Sequence, residues 1–122
     1  MPQIVMLLKR KPGMTKEEFK AHYESSHAQM ALRYQGHLMQ DYRRNYVQTQ
    51  FGLDEFGKST GEPAYDAITV ISFASDAELE EFMKAGKPFT EEFIADEYRF
   101  LDRDKVLGFI TEQEVSPLPG AK

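Results

Sequence analysis

The chain contains no cysteine. Disulfides, a thiol nucleophile, iron–sulfur clusters and cysteine-based zinc sites are thereby excluded, while the redox compartment stays open. Long apolar runs are missing too. No stretch approaches the roughly 20 residues of a membrane span, and the N-terminus lacks the pattern of a signal peptide, so a cytoplasmic protein without membrane contact is expected. Positive charge is scarce: 15 Lys and Arg stand against 20 Asp and Glu, a formal net charge of -5. The one basic tract, Lys9-Arg10-Lys11, is too short to suit a nucleic-acid backbone. Gly-x-Gly-x-x-Gly, Walker A and Gly-x-Ser-x-Gly sequences are absent. His22 and His27, at i,i+5, do not match the i,i+4 spacing of a helical zinc pair. Any chemistry is therefore expected to need neither cofactor nor metal.

The 122 residues suit one domain, 1–122, with residues 116–122 as a flexible tail. Gln3–Leu8 is nearly continuous in apolar residues and reads as a central strand. Pro12-Gly13 then supplies a turn. Thr15, with Glu18 three residues on, is a capping box opening an amphipathic helix through Ala31 or Tyr34. Phe19, Tyr23 and Met30 form the inward stripe of this helix, and Gly36 is its natural stop. Residues 37–50 alternate as a strand that is apolar on neither face, and 51–63 is a polar, Gly-rich loop. Ala64–Phe73 is the clearest strand. Ser75 and Glu78 form a second capping box before a helix ending at Gly86. A shorter helix spans 88–97, and 105–114 is the last strand.

This order is that of an α+β, ferredoxin-like split βαβ domain with a four-stranded antiparallel sheet and helices on one face. Apolar residues on both faces of strands one, three and four call for cover on the second face. The economical cover is the sheet of a second copy, so a homodimer closed as a dimeric α/β barrel is expected.

His27 is the leading candidate for chemistry, because imidazole titrates near neutral pH and both gives and takes protons. A core or interface histidine with a backbone partner is the plainer alternative. His22 is expected toward the surface, rotated away from His27, and His37 near a cavity mouth. In the second strand, alternation sets Tyr42, Arg44 and Tyr46 against Asp41, Arg43 and Asn45. Which set looks inward is left open, with aromatic burial favouring the first. Tyr23, Tyr34, Tyr42 and Tyr46 suit an oxygenated aromatic ligand and equally an ordinary interface. Phe93 faces inward on the short helix. Asp102 and Arg103 read as a loop-fixing ion pair, or Asp102 as an acidic partner orienting a histidine.

The segments Leu8-Lys9-Arg10-Lys11-Pro12-Gly13-Met14-Thr15, Glu18-Phe19, Tyr23 through His27, and Phe100-Leu101-Asp102-Arg103 resemble the EthD-like family of the dimeric α/β-barrel superfamily, in its polyketide-tailoring branch. The resemblance implies a homodimer with a pocket between sheet and helices. It also implies acid–base work for the position matching His27 and an inward carboxylate at Asp102. Tyr46 stands where many relatives carry a second histidine. The activity implied is a cofactor-independent lyase of decarboxylase type on an aromatic or polyketide-derived carboxylic acid. In it His27, Tyr46 and Asp102 would be catalytic, and Tyr23, Tyr42, Arg44, His37 and Phe93 would bind substrate. A cofactor-free monooxygenase, a lactone isomerase or cyclase on a phenolic substrate, and a non-catalytic dimeric accessory protein are the alternatives.

Overall fold

The computed structural model describes residues 1–120. Strand β1 (Pro2–Leu8) ends in a tight turn at Gly13, whose φ of +84° is a conformation that side chains with a Cβ resist. The turn delivers the chain to Thr15, the cap of helix α1 (Lys16–His22). There the capping box is complete: Glu18 N–H donates to Thr15 Oγ1 at 3.1 Å, and Thr15 N–H donates to Glu18 Oε1 at 2.9 Å. Two of the orphan donors at the helix start are thus satisfied by the chain itself.

The opening helix is not one uninterrupted α-helix. Residues Tyr23–His27 form a π-helix, closed by the Ala28 N–H donating to the Tyr23 carbonyl, before helix α2 (Ala28–Gln35) resumes. Gly36 keeps a helical φ of -59°, and the chain runs on through a 3-10 turn at Gly36–Leu38 instead of stopping there.

The remaining elements follow the expected order with shorter bounds. Strand β2 is Asp41–Tyr46 and strand β3 is Ala67–Ser72. Helix α3 (Asp76–Gly86) is capped by Ser75, and helix α4 (Thr90–Phe100) follows a 3-10 turn at Lys87–Phe89. Strand β4 is Leu107–Glu112. The expected tail is exposed as far as Gly120; Ala121 and Lys122 lie outside the described residues.

The sheet is antiparallel with the order β2-β3-β1-β4. Register sorts the side chains. Met6 lies opposite Thr69 and Gly108, and Ile4 opposite Ile71 and Ile110, on the face toward the helices, which do not reach Ile110 at the β4 edge. Tyr42, Arg44 and Tyr46 share that face, because they pair with Ile71, Thr69 and Ala67. On the other face Val5 meets Val70 and Phe109, and Leu7 meets Ile68 and Leu107. Among the described residues no element lies over it, and Leu107 and Phe109 each remain 47% exposed.

The expected barrel closure is corrected by this topology. The sheet is open, with β2 and β4 as its edges. Four strands of six or seven residues twist without meeting, whereas even a small barrel needs about eight strands to close. The architecture is an α+β open sheet with helices on one side.

Beneath the helices, two apolar clusters form. Leu8, Phe19, Tyr23, Ala28, Ala67, Phe100 and Leu101 make one. Ile71, Phe73, Leu79 and Phe82 make the other. The two do not merge, and the gap between them holds the site.

Candidate active site

A cavity of about 570 Å³ opens between the sheet and the helices. Its walls draw on both clusters, with Leu8 and Phe100 from one and Ile71 and Phe82 from the other; Phe93 and Ile94 of α4 complete an apolar lining. Thr90 and Arg103, both exposed, mark the rim. Such a hollow, mostly apolar with a few convergent polar groups, is the ordinary form of a small-molecule site.

His27 lines this cavity. Its ring is wedged between Phe93, Phe100 and Tyr23, at centroid distances of 5.4, 5.2 and 6.1 Å. Nδ1 faces Asp96 Oδ2 at 3.0 Å. Asp96 belongs to α4 and is 1% exposed. Burial alone pushes its carboxyl up, but the hydrogen bonds donated by Ser26, His22 and His27 outweigh that and hold it below its ordinary value. An ionised carboxylate only accepts, so Nδ1 of His27 carries a proton, and in the neutral ring Nε2 presents the lone pair. Nε2 is 3.9 Å from Glu97 Oε2 on the cavity wall.

The second wall is a chain of hydroxyls. Tyr23 Oη lies 2.6 Å from Thr69 Oγ1 and 3.1 Å from Tyr42 Oη. Burial pushes both phenols up, so they stay protonated across the physiological range. Three hydroxyls carry three protons, and the two bonds among them use two. Whichever way the chain is oriented, one O–H is left to donate to a ligand.

His22 is not turned away from His27. It places Nε2 2.9 Å from Asp96 Oδ1, so the two imidazoles grip opposite oxygens of one carboxylate. Five residues of α-helix would rotate the rings about 140° apart. The i→i+5 bonding of the π-helix makes residues five apart neighbours on one face, and such π-segments recur at functional sites.

The other sequence-selected residues are distributed differently. Tyr23, Tyr42 and Phe93 line the cavity with His27. Arg44 and Tyr46, although on the same sheet face, are drawn away from it by Glu24. Arg44 makes a bidentate pair with Glu24 at 2.7 and 2.9 Å, and Tyr46 Oη donates to Glu24 Oε2 at 2.5 Å. Glu24, within the π-helix, has an ordinary carboxyl range that this pairing lowers to about 2, the Arg44 hydrogen bond being the main cause. Asp102 faces elsewhere. Its neighbour Leu101 is buried against the core, and the alternation of extended backbone turns Asp102 outward, to 3.8 Å from Lys105 Nζ. There it borders a separate hollow lined by Lys9, Lys11 and Lys16. Arg103 pairs with Glu97 at 3.0 Å instead of with Asp102. His37 lies exposed on the turn after α2.

Asp96 and Glu97 were not singled out from the sequence. The signal for Asp96 was its spacing: Phe93, Asp96 and Phe100 recur at i, i+3 and i+7, placing a carboxylate on an apolar stripe. Among the described residues, no group of three or more His, Asp or Glu side chains is arranged to hold a metal ion.

The EthD domain model matches residues 11–104. The chain belongs to the EthD domain family. The match spans α1, the π-helix and α4, and so includes His22, His27 and Asp96. In structure this EthD domain is similar to a protein of Arabidopsis thaliana, with a TM-score of 0.61 at 18% identity, over 97% of this chain and 100% of that one. It is also similar to an EthD-like protein of Ralstonia eutropha JMP134, with a TM-score of 0.63 at 15% identity, over 90% of this chain and 86% of that one. At such identities the likeness establishes the ferredoxin-like fold. No curated protein matches the chain in sequence. Among the described residues, no helix is long and apolar enough to cross a membrane.

Proposed function

We propose that this EthD domain is a cytoplasmic, cofactor-independent acid–base enzyme that draws a proton from an aromatic or polyketide-derived substrate bearing a phenol or carbonyl, as an isomerase or cyclase does. The observation that carries the reading is the Asp96–His27 pair on the wall of an apolar cavity. His27 Nε2 takes the proton from a phenol or an activated C–H, and Asp96 faces the imidazolium that results. Negative charge then collects on the substrate oxygen, where the spare O–H of the Tyr42–Tyr23–Thr69 chain donates to it. The imidazolium returns its proton to another carbon in an isomerisation, or to a departing hydroxide in a cyclisation with loss of water.

Decarboxylation of an aromatic acid is a second reading, favoured by Arg103 on the rim. That guanidinium would have to exchange Glu97 for the substrate carboxylate, and Arg44 is held by Glu24 outside the cavity. Proton abstraction asks for no such exchange and is the better supported. The uncovered apolar face of the sheet supports a homodimeric state.

The test is deuterium uptake. Phenolic and β-dicarbonyl aromatic compounds incubated with the protein in D2O are expected to exchange the activated C–H, by NMR, faster than in buffer. His27→Gln should abolish the excess. Release of carbon dioxide from an aromatic acid without prior exchange would favour the second reading, and exchange unaffected by His27→Gln would remove both.

A further inference from the structure

We propose that His22 is a positioning residue that sets the proton affinity of His27 through the carboxylate they share. The catalytic use of this coupling rests on the reading above; the coupling itself does not. Asp96 is 1% exposed and surrounded by donors. Its Oδ1 accepts from His22 Nε2 at 2.9 Å and Ser26 Oγ at 2.8 Å, with Arg99 Nη1 at 3.4 Å. Its Oδ2 is left to His27 Nδ1 at 3.0 Å. The Arg99 side chain is 65% exposed and weakened by solvent, so His22 is the strongest titratable competitor for the negative charge on which a protonated His27 depends.

The geometry is specific in a further way. The His22 ring stacks on Phe100 at 5.0 Å, and the His27 ring packs on the same Phe100 at 5.2 Å. Two imidazoles are therefore held against one phenyl ring and one carboxylate. His22 is on α1 and only 23% exposed in its side chain, while His27 lines the cavity. The charged groups facing the pair are Asp96, Glu97 and Arg99 from α4. Arg103, on the rim of the same cavity, is paired with Glu97 at 3.0 Å.

A donor on Oδ1 withdraws charge from the carboxylate, and a protonated His22 adds like-charge repulsion. Both effects oppose protonation of His27, so His22 keeps His27 a free base to lower pH than Asp96 alone would allow. Asp96 provides attraction for the imidazolium, and His22 limits it. A proton acceptor is thereby kept ready beside two acidic side chains.

The test is an NMR pH titration of the histidine ring protons, which needs no substrate. In the wild-type protein the His22 and His27 signals are expected to titrate as a coupled pair, each showing two steps. In His22→Gln, which keeps an amide donor but no charge, His27 should titrate in one step with a raised midpoint. In His22→Phe, which also removes the donor, the midpoint should rise further, by on the order of one pH unit in total. On any substrate found by the exchange assay, the acid limb of kcat/KM should move by the same amount in the same direction. A His27 midpoint unmoved in both variants, with the folded circular-dichroism spectrum retained, would overturn the proposal. A raised midpoint combined with turnover indifferent to His27→Gln would uphold the coupling and overturn only the catalytic reading.

Discussion

Glu24 and Arg44 form a two-point ion pair, at 2.7 and 2.9 Å, that ties the π-helix to the edge strand β2. Tyr46 completes it from the same strand. The pair matters for the site because it commits the nearest strand cation to the protein and leaves the sheet side of the cavity to neutral hydroxyls.

Acid should therefore weaken this edge. Glu24 titrates near 4.5 when unperturbed and at about 2 in the folded chain. A depressed carboxyl contributes its stabilisation fully above the unperturbed value, and the contribution is lost as pH falls toward the folded one. Because the carboxylate is partly solvated, the effect at neutral pH is modest, about 1 kcal/mol or less. Urea unfolding of the wild type and Glu24→Gln should differ by that amount at pH 6 and converge toward pH 2. A difference independent of pH would show that the pair contributes shape and not charge.

Removing the buried carboxylate should cost both activity and stability. Asp96→Ala leaves the Ser26, His22 and His27 donors without their acceptor, at about 1–3 kcal/mol for each group left dry. Asp96→Asn preserves shape but offers one acceptor and one donor, so it should fold and still lose turnover. His27→Gln should lower turnover about 100- to 10,000-fold, the usual range for a lost general acid–base group. Thermal melts and rates on the three variants separate the contributions. Equal rates in Asp96→Asn and wild type would leave the carboxylate a purely structural role.

Tyr42→Phe tests the donor chain. The ring stays in place, and Tyr23 and Thr69 retain their 2.6 Å bond, so stability should change little. With one hydroxyl fewer, Tyr23 and Thr69 still carry two protons for one bond, and the spare donor is displaced from the position of Tyr42. Turnover should fall by about tenfold or more, toward the loss seen when an oxyanion donor is removed. A lowered kcat with an unchanged KM would place the interaction in the transition state.

Phe100 is the packing pivot. It is fully buried and its ring meets Phe19, His22, Tyr23 and His27 at centroid distances between 5.0 and 5.6 Å. Phe100→Ala should destabilise the fold by about 3–5 kcal/mol, as large-to-small changes in cores do. Phe100→Leu should recover much of that in a denaturant melt while leaving both imidazoles less well held, which the histidine titration would show as a loss of coupling.

Much of the fold could be read in the sequence because the signals were local. Thr15 with Glu18 marked a helix start, and the alternation of 64–73 marked a strand, each needing only neighbouring residues. His27 stood out as an imidazole on an apolar stripe. Its partner did not, because Asp96 lies 69 positions away and meets it only when α4 packs on the opening helix. Alternation grouped Arg44 and Tyr46 with Tyr42 on one face but left open which face looks inward, and even a face does not settle a partner, for Glu24 claimed both. Asp102 was read through a resemblance, whereas the buried neighbour Leu101 decides its direction. His22 was assigned to the wrong side because α-helical spacing was assumed through a segment that is wound more loosely.

That looser winding spans only Tyr23–His27. The extra residue it takes up is what lets a spacing of five serve a single face. A one-residue deletion there would rewind the segment as ordinary α-helix and leave the two histidines at i,i+4, about 40° apart and still side by side. The pairing is thus written jointly in a count of residues and in the winding that accommodates it, and a sequence pattern that accepts only one of the two spacings would pass over the other.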